Sequence, residues 1–252
     1  MNLIFKFKKK LDHAYQIIVI SLTSTVFIVP FIFIVFFLPI RKYKMALFWY
    51  TSYVMTRVIF FLLRVSVNGA DIKTLKSKTP CIFVANHTSM IDSYFMGSRL
   101  PSSCLLIGKY GAKKYPLYGK FFSWSKVTYF VKRNDKKQSR SVVKTIIKEI
   151  KEHNFSLFLF PEGKIIEENK IGPFKKGAFE IAIRSELPIV PIFIENYPSI
   201  QDPKSFFIKS GVVKMHVLEN IETDNLNNSD ILELSNKVRE KFIMIKNKKL
   251  TS

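Results

Sequence analysis

Apolar residues fall into two regimes along this chain. From residue 14 to residue 40 there are 27 positions without Asp, Glu, Lys or Arg. Wound as a helix at about 1.5 Å per residue, the run extends roughly 40 Å, enough to cross a hydrocarbon core about 30 Å thick. A secretory signal has an apolar region of only about 7–15 residues and a small-residue cleavage site; neither is present, so the run predicts a retained anchor. Pro30, in mid-run, predicts a kink or the bend of a re-entrant hairpin. A second apolar stretch, residues 45–63, contains Trp49, Tyr50 and Tyr53, is broken by Arg57 and is closed by Arg64. Rings at headgroup level and snorkelling Arg side chains suit an interfacial segment; a second span is the alternative.

Beyond Asn68-Gly69-Ala70-Asp71 the pattern changes. Apolar runs of strand length recur at 81–85, 104–107, 127–131, 155–160, 189–194 and 212–218. Helical periods lie between them. Val142, Val143, Ile146, Ile147 and Ile150 make one stripe within 139–152. Residues 174–184 read as a helix entered through Gly172-Pro173, and 229–245 place Ile231, Leu234, Val238 and Phe242 on one face. The alternation predicts an α/β fold: a mixed, partly parallel sheet flanked by helices, preceded by an N-terminal membrane-anchoring helical module. The expected division is 1–70 for the anchoring segment and 71–252 for the globular domain, so that removing residues 1–64 releases a soluble domain.

Composition sharpens this. The chain has 252 residues, 48% of them hydrophobic and 24 of them Phe, which excludes a disordered or low-complexity protein. Forty Lys and Arg against 19 Asp and Glu give a net charge of +21, a balance that calls for an anionic partner. Only eight of the forty are Arg, and Ile, Asn and Phe are also abundant, a mark of AT-rich coding that inflates Lys without function. Residues 1–70 carry nine Lys or Arg and one acid, Asp12, which makes anionic membrane lipid their natural partner. Lys6, Lys8, Lys9 and Lys10 flank one side of the first run and Arg41, Lys42 and Lys44 the other, so the positive-inside rule returns a near tie. No nucleic-acid motif is present, and no nucleic-acid partner is expected. Cys81 and Cys104 sit in apolar runs and read as buried, reduced thiols.

Three strand ends carry chemistry. In CIFVANHTSMID, residues 81–92, an apolar strand runs into Asn86-His87, and a helix begins after Thr88-Ser89. On a single helix, five positions would set His87 and Asp92 about 140° apart. Across a strand–turn–helix junction the carboxylate instead points back at the imidazole and primes it as a general base. The spacing equally admits a capping His and an Asp favoured in the first helical turn. In FLFPEGK, residues 158–164, Pro161 fixes a turn, Gly163 allows close backbone approach, and Glu162 either holds a ligand group or is solvated. At Phe130-Val131-Lys132-Arg133 a basic pair follows a strand, and a guanidinium suits bidentate phosphate recognition. Ligands of α/β sheets gather outside strand carboxyl ends.

These residues resemble a known family. NHTSMID is similar to the His-x-x-x-x-Asp motif of the glycerolipid acyltransferases, the lysophosphatidic acid acyltransferase family. Further motifs follow in that family's order: Lys109…Pro116…Gly119, VKRND around Arg133, FPEG at 160–163, PFKKGAFEIA at 173–182 and PIVPI at 188–192. The likeness spans about residues 80–220. It implies an acyltransferase domain in which His87 is general base, Asp92 orients it, and Arg133, Glu162 and Gly163 lie around the acceptor phosphate. The family continues FPEG with Thr-Arg-Ser, whereas Lys164, Ile165 and Ile166 follow here. Lys164 supplies charge to a phosphate but not the guanidinium fork.

The implied reaction moves a fatty acyl group from a thioester to the hydroxyl of 1-acyl-glycerol-3-phosphate, giving phosphatidic acid. The altered 164–166 segment keeps open another lyso-lipid acceptor, such as lyso-ornithine lipid. The chain has no G-x-S-x-G elbow and no Cys beside a His, so direct attack by the acceptor hydroxyl is expected rather than a covalent acyl-enzyme. Lys109 or a backbone N–H is the expected oxyanion donor. His87 and Asp92 alone do not make a metal site, so no metal and no cofactor are expected beyond the donor, acyl-CoA or acyl carrier protein. Acyl thioesters are cytosolic, which places the protein in a membrane, the bacterial inner membrane, with its catalytic domain facing the cytoplasm.

Overall fold

The computed structural model describes residues 3–89, 91–132, 134–166, 170–195, 200 and 208–250, with side chains from 10 to 248. Helix α1 (Leu3–Phe37) runs unbroken through Pro30. The bend expected there is corrected: Pro30 faces outward, while Ile28 and Phe31 on either side are buried and hold the axis. The chain reverses instead at 38–40, and α2 (Arg41–Leu62) returns antiparallel, with Phe31 beside Phe48 and the Tyr15 hydroxyl donating to the Leu62 carbonyl at 3.1 Å.

Helix α1 is apolar on the outside. Its packed face includes Gln16, Thr23 and Ser24, whereas Ile17, Ile18, Leu22, Val26, Phe33, Phe36 and Phe37 are exposed. A helix at a water-facing surface shows the reverse arrangement, and an apolar exterior of this extent is of the kind found at protein and membrane interaction surfaces. Both helices are long and apolar enough to cross a membrane. The interfacial placement expected for residues 45–63 is corrected in part. Met45, Phe48, Trp49, Met55, Ile59 and Phe60 are buried in the common core, and the Trp49 indole donates to the Cys104 carbonyl at 3.1 Å. Their ring area is worth more against the domain than at a headgroup layer.

The sheet follows from the six apolar runs and one further strand. Its strands are β1 (Val65–Asn68), β2 (Ile82–Ala85), β3 (Cys104–Lys109), β4 (Thr128–Val131), β5 (Ser156–Leu159), β6 (Ile189–Ile194) and β7 (Gly211–Val217). They lie in the order β1-β7-β6-β2-β5-β3-β4, parallel throughout except where β6 meets β7. β2 and β5 are buried at every position, as their unbroken apolar sequences require. β1 lies inside the segment assigned to the anchor, so the expected division at residue 70 falls just after the sheet has begun. Cys81 and Cys104 are buried free thiols, as their apolar setting predicted, and burial pushes the Cys81 thiol up.

Helices α3 (Ile72–Lys76), α4 (Asp92–Gly97), α5 (Pro116–Trp124), α6 (Lys136–His153), α7 (Gly177–Ser185) and α8 (Ile231–Leu250) complete the fold. α4 and α5 connect strands in one direction across the sheet, and α6 and α7 connect them in the other. Right-handed crossovers therefore put the two pairs on opposite faces. α1 packs on α5 and α2 on α4; on the other face α6 packs on α7 and α7 on α8.

The hairpin thus covers two helices of the sheet. Phe60 packs on Phe95 of α4 with ring centroids 5.1 Å apart, and Phe31 and Phe48 each meet Phe121 of α5 at 4.6 Å. Covering one such ring is worth about 1.5–3 kcal/mol, against a total stability of roughly 5–15 kcal/mol. Deleting residues 1–64 is therefore expected to give an aggregated chain, seen by gel filtration without detergent. A monomeric, folded 65–252 fragment would reduce the helices to a tether.

Candidate active site

The site begins where β2 leaves the sheet. The Asn86 carboxamide extends the ladder to β6 by donating from Nδ2 to the Ile194 carbonyl at 2.9 Å and accepting at Oδ1 from the Ile194 N–H at 2.7 Å. His87 is fixed immediately beyond it. Its backbone N–H donates to Glu162 Oε2 at 2.8 Å, and its carbonyl accepts from the Ile166 N–H at 2.8 Å. The imidazole stacks on Phe160, with centroids 4.0 Å apart and planes at 11°. Every torsion that aims the ring is thereby held by a neighbouring element.

Asp92, the first residue of α4, is fully buried. Its Oδ2 lies 3.0 Å from His87 Nδ1 and accepts from the Thr88 and Ser89 N–H groups at 2.7 and 2.8 Å. The two readings of the five-residue spacing are thus both realised: the carboxylate closes the helix-leading turn and grips the imidazole. An oxygen already accepting two backbone N–H groups is not the one that carries a proton. Nδ1 therefore holds the ring hydrogen, and Nε2 presents its lone pair.

Glu162 lies beneath this pair. It is 3% exposed, and its two oxygens accept from the His87 and Gly172 N–H groups at 2.8 and 2.9 Å. Burial pushes its carboxyl up, against the opposing pull of those two N–H bonds. Both Glu162 oxygens are therefore taken up by backbone N–H groups, which braces the turn beside His87. Arg239 of α8 completes the brace by donating from Nε to the Gly172 carbonyl at 2.9 Å and from a terminal nitrogen to the Ile171 carbonyl at 2.8 Å. Gly163 has a φ of +65°, and a Cβ there would lie 2.9 Å from Lys175 Cε, so the turn admits only glycine without strain.

Lys164 follows directly on the Glu162-Gly163 turn, and Lys109 lies two strands beyond β2 on the same edge. Lys109 ends β3, paired in register with Val131 at the end of β4, and is exposed, as is Lys164. Arg133 lies outside the described residues. Lys132, one of the basic pair at the end of β4, and Lys113, which sequence reasoning did not single out, flank the Tyr110 ring at 4.7 and 5.3 Å. Lys109, Lys113 and Lys132 pair with no carboxylate among the described residues, so this rim is positive. Sequence reasoning also missed the roles of Asn86, Phe160 and Arg239. Asn86 was signalled only by a polar amide at the end of an apolar strand.

Glu162→Gln tests the brace. Glutamine offers one oxygen to two N–H donors and leaves one unpaired, a cost of about 1–3 kcal/mol. The expected result is a lower melting temperature and lower kcat with little change in acceptor KM. A large rise in acceptor KM with normal kcat and stability would put Glu162 in the acceptor site after all.

Comparisons with known proteins agree with this geometry. Residues 64–195 match the family model described as Acyltransferase. The chain is 32% identical over 181 residues to the 1-acyl-sn-glycerol-3-phosphate acyltransferase of Saccharomyces cerevisiae, covering 69% of this chain and 59% of that protein. It is 30% identical over 172 residues to the beta form from Homo sapiens, covering 68% and 61%. The matched part is thus about three fifths of the length of these relatives. The fold is shared with the crystal structure of a 1-acyl-sn-glycerophosphate acyltransferase from Thermotoga maritima, at a TM-score of 0.75 and 18% identity, over 96% of this chain and 97% of that one. With the family match covering more than half of its length, this chain belongs to the acyltransferase family.

Proposed function

We propose that this protein is a membrane-bound enzyme that moves a fatty acyl group from a thioester donor to the free hydroxyl of 1-acyl-glycerol-3-phosphate, giving phosphatidic acid. The observation that carries the reading is the 3.0 Å contact between His87 Nδ1 and Asp92 Oδ2 at the end of β2. His87 Nε2 takes the acceptor hydroxyl proton as the oxygen attacks the thioester carbonyl. The tetrahedral oxyanion collapses, the carbon–sulfur bond breaks, and the imidazolium returns its proton to the leaving thiolate. A new ester and a free thiol result, and nothing is oxidised or reduced. Lys109 or a backbone N–H meets the oxyanion.

The positive rim supports a phosphate-bearing acceptor, and the names of the relatives above support this one. The apolar exterior of α1 supports residence in a membrane, where a lyso-lipid is presented. A cytosolic thioester places residues 71–252 on the cytoplasmic side, in the bacterial inner membrane. Lys164 is exposed directly after the Glu162-Gly163 turn and supplies a charge there, whereas Ile165 adds no side-chain donor.

His87→Ala is expected to lower kcat/KM by roughly 10²–10⁴ or more, the range of general-base catalysis, while the protein stays folded and membrane-associated. A loss under tenfold would sink the mechanism. Asp92→Asn keeps the shape but disturbs the tautomer, for which about 10⁴ is lost in a serine-protease triad; a smaller though large loss is expected here. If the pair acts as a unit, the double variant loses little more than His87→Ala alone. Multiplying losses would leave Asp92 a helix cap only.

For the rim, Arg133→Ala is expected to raise the KM of lysophosphatidic acid far more than that of the thioester. Truncating one partner of a bound charge pair costs about 2–5 kcal/mol. Equal rises for both substrates would remove Arg133 from the acceptor site.

A further inference from the structure

The turn between α1 and α2 borders a cavity of about 420 Å³, within the size range of ligand sites. Thr128 lines it and opens β4, so the cavity lies at the amino ends of the strands, whereas His87 follows the carboxyl end of β2. β4 is the edge strand, and the hairpin reaches round that edge to α6, where Arg41 pairs with Glu149. The cavity is thus walled by α2, α5, β4 and α6 and is separate from the catalytic centre.

Its wall is rich in donors and short of acceptors. Arg41, Lys44 and Lys126 bring three positive charges to it, and Glu149 is the only carboxylate among the described residues that lines it. Glu149 is engaged by Arg41, whose other terminal nitrogen donates to the Lys126 carbonyl and the Tyr129 hydroxyl, both at 3.3 Å. Lys44 and Lys126 pair with no carboxylate among the described residues. Arg41 Nε and Thr128 Oγ1 are buried with no hydrogen-bond partner among them. α2 begins here with no side-chain cap and no acid in its first turn, which adds the positive end of its dipole. A phosphodiester anion fits this excess of charge, and the Ser123 hydroxyl and Glu149 suit the hydroxyls of a polyol beside it.

The mouth selects the rest of the ligand. Phe36, Phe37 and Ile40 are exposed next to Pro39, which borders the cavity, and the Phe36 ring lies 5.9 Å from that of Trp124, the neighbour of Ser123. A free phosphate leaves these side chains in water; the chains of a lipid cover them. We propose that this cavity holds the head group of an anionic phospholipid, its phosphate among Arg41, Lys44 and Lys126 and its acyl chains along Phe36 and Phe37. The bound lipid fastens the hairpin to both faces of the sheet at once. The proposal goes beyond acyl transfer and does not depend on it.

The test is native mass spectrometry of the full chain in detergent, with dioleoyl phosphatidylglycerol and dioleoyl phosphatidylcholine as probes. The native protein is expected to retain one phosphatidylglycerol in preference to phosphatidylcholine. Lys44→Gln with Lys126→Gln, which removes two charges without setting a new carboxylate beside Glu149, is expected to weaken that retention roughly tenfold. Ser123→Phe, which fills the cavity from α5 and leaves its charge alone, is expected to exclude the lipid. Lys136→Gln with Lys137→Gln, an equal loss of charge on the exposed side of α6, leaves retention in place. Lipid-free melting temperatures close to that of the native protein separate these losses from unfolding. Equal retention of the two lipids, an equal loss in the α6 variant, or retention that survives both cavity variants overturns the proposal. So does inorganic phosphate that displaces phosphatidylglycerol and raises the melting temperature as far as the lipid does, which makes the cavity a site for a free anion. Acyl transfer is read separately, from turnover, and stands or falls without regard to these outcomes.

Discussion

The buried carboxylate of Asp92 is the constraint around which the site is built. Removing an ionised group from water costs several kcal/mol unless hydrogen bonds replace hydration. Here three donors converge on one oxygen: His87 Nδ1 and the Thr88 and Ser89 N–H groups. Bonds to a charged group are worth about 1.5–3 kcal/mol each, so the set offsets a large part of the penalty. It does so only if β2, the Thr88 and Ser89 backbone and α4 keep their mutual geometry. Asn86 ties the strand end to β6, and Glu162 ties the His87 backbone to the loop at Gly172. The imidazole has one orientation because the carboxylate has one.

That geometry reaches back to the N-terminal helices. α4 has only six residues and little stability of its own. Gly97 brings it close to α2, where a Cβ would lie 3.7 Å from the Thr56 hydroxyl, and Phe95 packs on Phe60. On its other side the Tyr94 hydroxyl lies 2.8 Å from that of Tyr118, which lies 2.6 Å from the Ser24 hydroxyl of α1. Burial pushes the Tyr94 phenol up, which keeps it a neutral member of this chain. The hairpin therefore supports the helix that carries Asp92, although it lies outside the residues matched by the family model.

Much of this was legible in the sequence. All six apolar runs became strands, because a strand buried on both faces writes an unbroken apolar run bounded by turns. β1 was hidden: Val65–Asn68 is four residues long and follows directly on an apolar helix, so no change of period announced it. A kink or a re-entrant bend was read at Pro30, whereas the chain reverses at 38–40, because a lone Pro reads as a break where packing on both sides preserves the helix. At the site, His87 and Asp92 were legible because they lie five apart across a local junction. Asn86 with Ile194, and Glu162 with His87, are 108 and 75 positions apart, and only strand register brings them together. The partners of Glu162 were not legible for the same reason, since no local pattern distinguishes a carboxylate that faces a ligand from one that faces backbone N–H groups.

The sheet also sorts the helices. Crossovers in one direction leave α4 and α5 under the apolar hairpin; crossovers in the other put α6 and α7 on the opposite face, where Lys136, Lys137, Arg140 and Lys144 are exposed. His87 stands at the carboxyl end of β2, whose crossover through α4 runs one way across the sheet while that of the neighbouring β5 through α7 runs the other. The position of the base is thus a property of the topology before it is a property of any side chain. The local residues then decide which nitrogen it presents.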